Sequence, residues 1–293
     1  MVVVFDEATR SSAQRLVGMA LDEDLRDVGD ITSLSTIAAD LSASVNIVAR
    51  ESGVISGGAI VPIVLEQLNA AVEVRIDVPD GDAVQPGTVI ASLSGNVRSL
   101  LTAERTILNF MIHLSGVASR TAQFVREVNG TKAVILDTRK TFPGYRLLHK
   151  YAVRCGGGHN HRMGLFDGIL IKDNHLAARG DRNVGSAVAS ARTFLASRGD
   201  SIPIEIEVDT LDQLRFALVE HPEIVLLDNM SIQQLEESIR LRDQLSASTL
   251  LEASGGISLE TVGAIARTGV DRISIGGLTH SATALDLGFD WPW

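Results

Sequence analysis

Apolar residues recur along this 293-residue chain with two periods, and the balance between them changes near residue 130. Before that point the two are mixed. Residues 12–25 and 57–69 place apolar side chains at helical spacing, whereas 44–50 and 72–78 alternate in the manner of half-buried strands. GDITS, Gly29 to Ser33, reads as a turn. Residues 101–129 predict one long helix or two, with Thr102 as the cap, Arg105 in the first or second turn, and Leu108, Ile112 and Val117 in the buried stripe. From residue 133 short β-rich runs alternate with helical ones. The strand-like runs are 133–138, 167–175, 202–210, 223–229, 249–257 and 271–278; helical runs at 184–198, 211–220, 231–245 and 258–268 lie between them. Such alternation predicts a parallel sheet with right-handed crossovers, closed or nearly closed as a barrel, with a doubly wound open sheet as the alternative.

Composition narrows the function classes. Hydrophobic residues at 45% suffice for a large core, and a net charge of -10 argues against nucleic acid or an anionic membrane as partner. The single cysteine, Cys155, excludes an intrachain disulfide and suits a reducing cytoplasm. The opening MVVVFDEATR has no secretory n-region or h-region, and no run of about 18 apolar residues predicts a membrane span. VPDGDAVQPGTVIASLSG, residues 78–95, resembles the hammerhead of biotinyl and lipoyl carriers. A carrier needs an exposed Lys at the tip, and the first Lys of the chain is Lys132, so tight turns between short strands are the better reading.

The predicted strand ends are loaded with reactive groups, and in a β/α barrel chemistry sits at the C-terminal ends of the strands. Those ends carry Asp137-Thr138-Arg139-Lys140, Lys172-Asp173-Asn174-His175, Asp228-Asn229, Glu252-Ala253-Ser254-Gly255-Gly256 and Ile275-Gly276-Gly277. In IEIEVD a period of two puts Glu205, Glu207 and Asp209 on one face, toward the barrel interior, with Ile204, Ile206 and Val208 on the other. Carboxylates there require cationic or metal partners. Residues 139–175 supply seven cations (Arg139, Lys140, Arg146, Lys150, Arg154, Arg162, Lys172) against Asp167 and Asp173, a net of +5. That suits a pocket for a small polyanion. His159-Asn160-His161 is too isolated to specify zinc, and Cys155 beside His159 is a weak nucleophile candidate. The paired glycines after the last two strands fit a phosphate-binding mouth.

These residues resemble the quinolinate phosphoribosyltransferase family. The most specific run is DTRKTFPGYRLLHKYAVRCGGGHNHRMGLFDGILIKDNH, Asp137 to His175; DVGDITS, ERTILNFMIHLSGVAS, IEVD, LLDN, EASGGI and GVDRISIGGLTHS support it across nearly the whole chain. The resemblance implies an N-terminal α/β sandwich (1–115), an open seven-stranded α/β barrel of the type II phosphoribosyltransferases (116–278), and a C-terminal tail (279–293) returning to the first domain. It implies transfer from phosphoribosyl pyrophosphate to quinolinate with decarboxylation, giving nicotinate mononucleotide, with Mg²⁺ as cofactor, in a homodimer or a hexamer of dimers. By the same resemblance Arg105 (donated across the dimer), Thr138, Arg139, His161, Arg162 and Lys172 bind quinolinate. Lys140, Glu207 and Asp228 are catalytic, with Glu207 and Asp228 near the metal. Ser254, Gly255, Gly256, Ile275, Gly276 and Gly277 hold the 5′-phosphate. A transferase of the same fold with a nicotinate acceptor, or a phosphate-binding sensor, are the alternatives.

Overall fold

A computed structural model describes residues 3–180 and 183–293; Met1 and Val2, the start of the run read for a leader, lie outside them. In chain order the elements are α1 (Glu7–Leu25), α2 (Ile31–Thr36), β1 (Ser42–Ala49), β2 (Gly53–Val54), α3 (Ile60–Gln67), β3 (Val72–Ile76), β4 (Ala83–Val84), β5 (Val89–Asn96) and α4 (Val97–Glu127). Then follow β6 (Val134–Leu136), α5 (Arg146–Cys155), β7 (Ile169–Ile171), α6 (Asp173–Arg179), α7 (Val184–Arg198), β8 (Ile204–Val208), α8 (Leu211–Val219) and β9 (Ile224–Asp228). The chain ends with α9 (Ile232–Leu245), β10 (Leu250–Ser254), α10 (Leu259–Arg267), β11 (Arg272–Ser274), α11 (Gly277–His280) and β12 (Leu287–Asp290). Two compact units emerge. The first takes the chain up to Ala122 together with Lys140–Gly158 and Gly277–Trp293, and the second takes Gln123–Arg139 and His159–Gly276. The division by contacts is therefore interleaved, whereas the expected boundaries at 115 and 278 are contiguous cuts.

The first unit is built on an antiparallel sheet of order β12-β1-β5-β3. Alternation on β1 buries Val45, Ile47 and Ala49 on one side, and β12 adds to its edge with Ile47 opposite Phe289. The C-terminal tail thus completes this sheet. Helix α1 starts where Asp6 accepts the Thr9 amide, and it packs on α3. GDITS is more than a turn: Asp30 accepts the Ser33 amide and starts α2. The residues 78–95 do form tight turns between short strands, with Gly81 and Gly87 at φ of +98° and +86°.

Helix α4 begins before the expected position. Asn96 Oδ1 accepts the amides of Arg98 and Ser99, so it takes the capping role assigned to Thr102. Thr102 sits inside the helix, where its hydroxyl donates to the Arg98 carbonyl at 2.8 Å. Arg105 consequently falls in the third turn. The buried stripe is Leu100, Ile107, Met111, Leu114 and Val117, with Leu108 beside it and Ile112 only partly covered. Gly116 on this helix faces the Thr283 backbone so closely that a Cβ would enter the carbonyl oxygen's van der Waals shell.

In the second unit six parallel strands run in the order β6-β11-β10-β9-β8-β7. Sequence neighbours are spatial neighbours from β7 to β11, and the first strand, β6, pairs with the last. That circular order is a barrel left open between β6 and β7. A doubly wound sheet would reverse its order at a switch point, so that alternative falls away. Among the described residues six strands form ladders, against the seven implied by resemblance. Beyond β6 the sheet continues only as a one-residue parallel bridge from Leu136 to His159. Because β11 occupies the other edge of β6, His159 lies on the open side of the barrel. The crossover helices are capped locally, by Thr210 for α8 and by the Ser231–Gln234 capping box for α9.

Gly116→Ala tests the close approach in the first unit. Alanine in a helix interior normally gains up to about 1 kcal/mol over glycine. Here the forced backbone shift costs about 1–3 kcal/mol, so the expected outcome in urea titration is a net loss of stability. A variant as stable as the parent would show that the contact is not tight.

Candidate active site

All six strands of the barrel point the same way, so their C-terminal ends share one rim. Thr138 and Arg139 follow β6, Lys172 follows β7, Glu207 lies near the end of β8, Asp228 ends β9, Ser254 ends β10 before Gly255 and Gly256, and Ile275 and Gly276 follow β11. Lys140, Gly277 and Arg105 belong to the first unit. So do Arg146, Lys150 and Arg154, which sit on α5; Lys150 is fully buried there and Arg154 donates to the Val4 carbonyl.

Beneath the rim lies a buried charge cluster. Alternation along β8 turns Glu205 and Glu207 inward and Ile204, Ile206 and Val208 outward, as expected. Asp209 departs from that reading: it is past the strand, exposed, with its amide bonded to Gln213 at 2.8 Å. Each inward carboxylate has a cation. Lys172 Nζ pairs with Glu207, His161 Nε2 lies 3.0 Å from Glu205 and 3.4 Å from Glu252, and Arg272 Nε donates to Glu252 at 2.7 Å. Glu252 and Arg272 are interior residues that the strand patterns did not single out as partners. A Glu on β10 and an Arg at the start of β11 meet only because those strands pair at Glu252 and Arg272.

His161 is fixed from every side. Its amide donates to Asp137 at 2.9 Å, Asn160 Nδ2 donates to the same carboxylate at 2.7 Å, and Nδ1 accepts the Arg162 amide at 2.7 Å. Burial would push the imidazole pKa down, but the hydrogen bonds and charges of Glu205 and Glu252 outweigh it and raise it to about 9. Burial raises Glu205, whereas for Glu252 the His161 and Arg272 cations overcome burial and lower it. The Arg162 amide favours a bare Nδ1, and the two carboxylates favour the imidazolium. Either way one proton stays within the His161–Glu205 pair near neutrality, and Glu252 is balanced by Arg272. The centre of the barrel is close to electrically neutral, which is the condition for keeping carboxylates there.

The rim differs. Arg162 Nη1 donates to the Gly168 carbonyl at 2.9 Å, while its Nε is buried without a hydrogen-bond partner. Burial first, and the neighbouring Arg139 second, lower its pKa. Two guanidinium groups near enough to repel, with a buried N–H still to be satisfied, form a site for an anion. Across the rim the ends of β9 and β10 are knitted together. Asn229 has φ +54°, its amide donates to the Ser254 carbonyl at 2.9 Å, and its side chain donates to Asp228. A Cβ at Gly255 would collide with that Asn229 side chain, so glycine is required.

The family comparison agrees with this geometry. Residues 30–115 match the quinolinate phosphoribosyl transferase N-terminal domain and residues 117–290 the C-terminal domain. The chain belongs to the quinolinate phosphoribosyltransferase family. It is 46% identical to nicotinate-nucleotide pyrophosphorylase [carboxylating] of Mycobacterium leprae, over 95% of this chain and 97% of that one. The solved nicotinate-nucleotide pyrophosphorylase of Francisella tularensis superposes with a TM-score of 0.87 at 39% identity, covering 96% of both chains. That of Ehrlichia chaffeensis gives 0.86 at 39% identity, covering 94% of this chain and 97% of that one.

Within this family member two minor readings fail. Burial pushes the Cys155 thiol up to about 12, which removes it as a nucleophile. His159 is exposed while His161 is buried, so the H-x-H pair does not converge. The metal-capable group among the described residues is His161, Glu205 and Glu252, and there Arg272 and the shared proton already supply the positive charge. Among the described residues no helix is long and apolar enough to cross a membrane.

The His161 cluster has a pH signature. Its pKa is raised from 6.5 to about 9 on folding, so its contribution is complete below about pH 6.5 and is lost as pH rises through 9. In thermal melts, the gap between the parent and His161→Asn should therefore shrink between pH 6.5 and 10. A constant gap would contradict the assignment.

Proposed function

We propose that the chain transfers the phosphoribosyl group of phosphoribosyl pyrophosphate to the ring nitrogen of quinolinate, releasing pyrophosphate and CO₂ and forming nicotinate mononucleotide, a step of de novo NAD synthesis in the cytoplasm. The observation that carries the reading is the paired guanidinium groups of Arg139 and Arg162 on a rim shared with Lys172, Asp228 and the glycine turns. A pyridine dicarboxylate matches two planar forks and a point charge. Arg139, Arg162 and Lys172 take its carboxylates, with Thr138 beside them. His161, whose ring is fixed within the barrel beside Arg162, bounds the acceptor by its ring. Arg105, exposed on α4, reaches the acceptor site of a second copy in a homodimer or in a hexamer of dimers.

Donor binding falls to the other side of the rim. The amides of Ser254, Gly255, Gly256, Ile275, Gly276 and Gly277 hold the 5′-phosphate, where absent side chains let backbone N–H groups approach. Glu207 and Asp228 face the ribose hydroxyls and the metal. Their hard carboxylate oxygens are the donor type that Mg²⁺ prefers, with water and phosphate oxygens completing its shell. Bound there, Mg²⁺ would offset charge on the pyrophosphate. The same carboxylates favour positive charge at the ribosyl carbon as the bond to pyrophosphate lengthens, and Lys140 neutralises the leaving group. Ribosylation makes the ring nitrogen cationic; the adjacent carboxylate then leaves as CO₂, the bonding electron pair stays on the ring carbon beside the cationic nitrogen, and that carbon takes a proton from water.

Lys140→Ala should lower turnover by roughly 10²–10³-fold, the usual size for one transition-state stabiliser, with pyrophosphate release as the readout. Unchanged turnover would remove Lys140 from the mechanism. With the parent protein, product should form from quinolinate and the sugar donor; faster formation from nicotinate would reassign the acceptor.

A further inference from the structure

Lys140 is exposed, on a short segment that must hold it still if it is to act on a leaving group. The first unit contains an unusual seat for that segment. His113 on α4 and His149 on α5 meet Nε2 to Nε2 at 2.7 Å. Two rings, Phe142 and Tyr145, pack against the contact, and a third, Phe110, backs Tyr145. Phe142 stacks on His113 with centroids 5.4 Å apart and planes 18° apart, and its edge meets His149 at 5.3 Å. Tyr145 stacks on Phe110 at 5.9 Å and closes the cluster against both histidines. Phe142 is 45% exposed; without the histidine face beneath it, it would be a bare aromatic on a loop.

The pair behaves as a neutral hydrogen-bonded unit. His149 is fully buried and its Nδ1 has no partner. An orphaned ring acceptor is tolerated better than an orphaned N–H, so the His149 proton belongs on Nε2, donated to His113. Burial lowers both pKa values, that of His149 to about 3 with a further push from His113. No catalytic step proposed above uses either residue. Their one evident output is the position of Phe142, two residues from Lys140. At the near end of the segment the Lys140 carbonyl accepts Thr279 Oγ1 at 2.7 Å, and Arg146 Nε donates to Thr141.

We propose that the His113–His149 pair is a seat that positions Lys140, acting through the Phe142 ring stacked upon it. His113, His149 and Phe142 are then positioning residues, and the functional half of the claim rests on the role given to Lys140 above. Two variants of the intact chain test it: His149→Leu, which removes the inter-ring hydrogen bond, and Phe142→Leu, a half-exposed change that should not endanger folding. Hydrogen exchange in residues 140–145 should become roughly three- to tenfold faster in both, the scale of one aromatic contact, while exchange in α4 is unchanged. Turnover should fall with little change in KM for quinolinate, and Phe142→Tyr should restore it. In a Lys140→Ala background, Phe142→Leu should still speed exchange yet cost no further turnover.

Unchanged exchange of 140–145 in both variants overturns the seat. Faster exchange with unchanged turnover, in a protein where Lys140→Ala is itself damaging, overturns its functional role. If Lys140→Ala proves harmless, the mechanism above fails, and the exchange result still judges the seat on its own.

Discussion

Two carboxylates, Glu205 and Glu252, sit almost completely buried at the centre of the barrel, and their charge has to be cancelled there. An uncompensated buried ion costs several kcal/mol, more than a domain can readily spare. The solution is local: Glu252 takes Arg272, and Glu205 shares a proton with His161. His161 in turn is tied to Asp137 and to the Arg162 amide, so the neutral centre also fixes the chain leading into the cationic rim. The interior cations are consumed in this way. Arg162, one layer higher, keeps a buried Nε without a partner and feels Arg139 as a repelling neighbour. The neutral centre below and the mutually repelling guanidinium groups above are two halves of one charge distribution.

Strand direction does the rest of the assembly. Because the six strands are parallel and ordered around a ring, residues scattered from 137 to 276 arrive at one edge without any long-range signal between them. The backbone conformation at that edge is specialised. Asn229 adopts a left-handed φ, and Gly255 admits its side chain at a distance no Cβ would permit. Rigid strands thus deliver the side chains, and Gly255 makes a turn that no other residue could make beside Asn229.

The chain returns to the first unit for Lys140–Gly158 before the barrel is complete. That excursion carries Lys140, the Phe142, Tyr145 and His149 rings that meet His113 of α4, and the helix holding the fully buried Lys150. A segment that is +5 in sequence is therefore split. Arg139, Arg162 and Lys172 belong to the second unit, whereas Lys140, Arg146, Lys150 and Arg154 belong to the first.

Periodicity alone determined the strand–helix alternation after residue 133, the inward face of Glu205 and Glu207, and the run of reactive groups at strand ends, because those depend on neighbours two to four residues apart. The motif from Asp137 to His175 carried the family. Local competition misled the reading in small ways: Asn96 outbids Thr102 as a cap, and Asp30 makes a helix start of an apparent turn. What only the tertiary structure decided are the pairings across strands and helices — His161 with Glu205 and Glu252, Arg272 with Glu252, Asn229 with Gly255, His113 with His149. Each joins residues at least 20 positions apart and depends on strand register or helix packing, which no local pattern in the chain encodes.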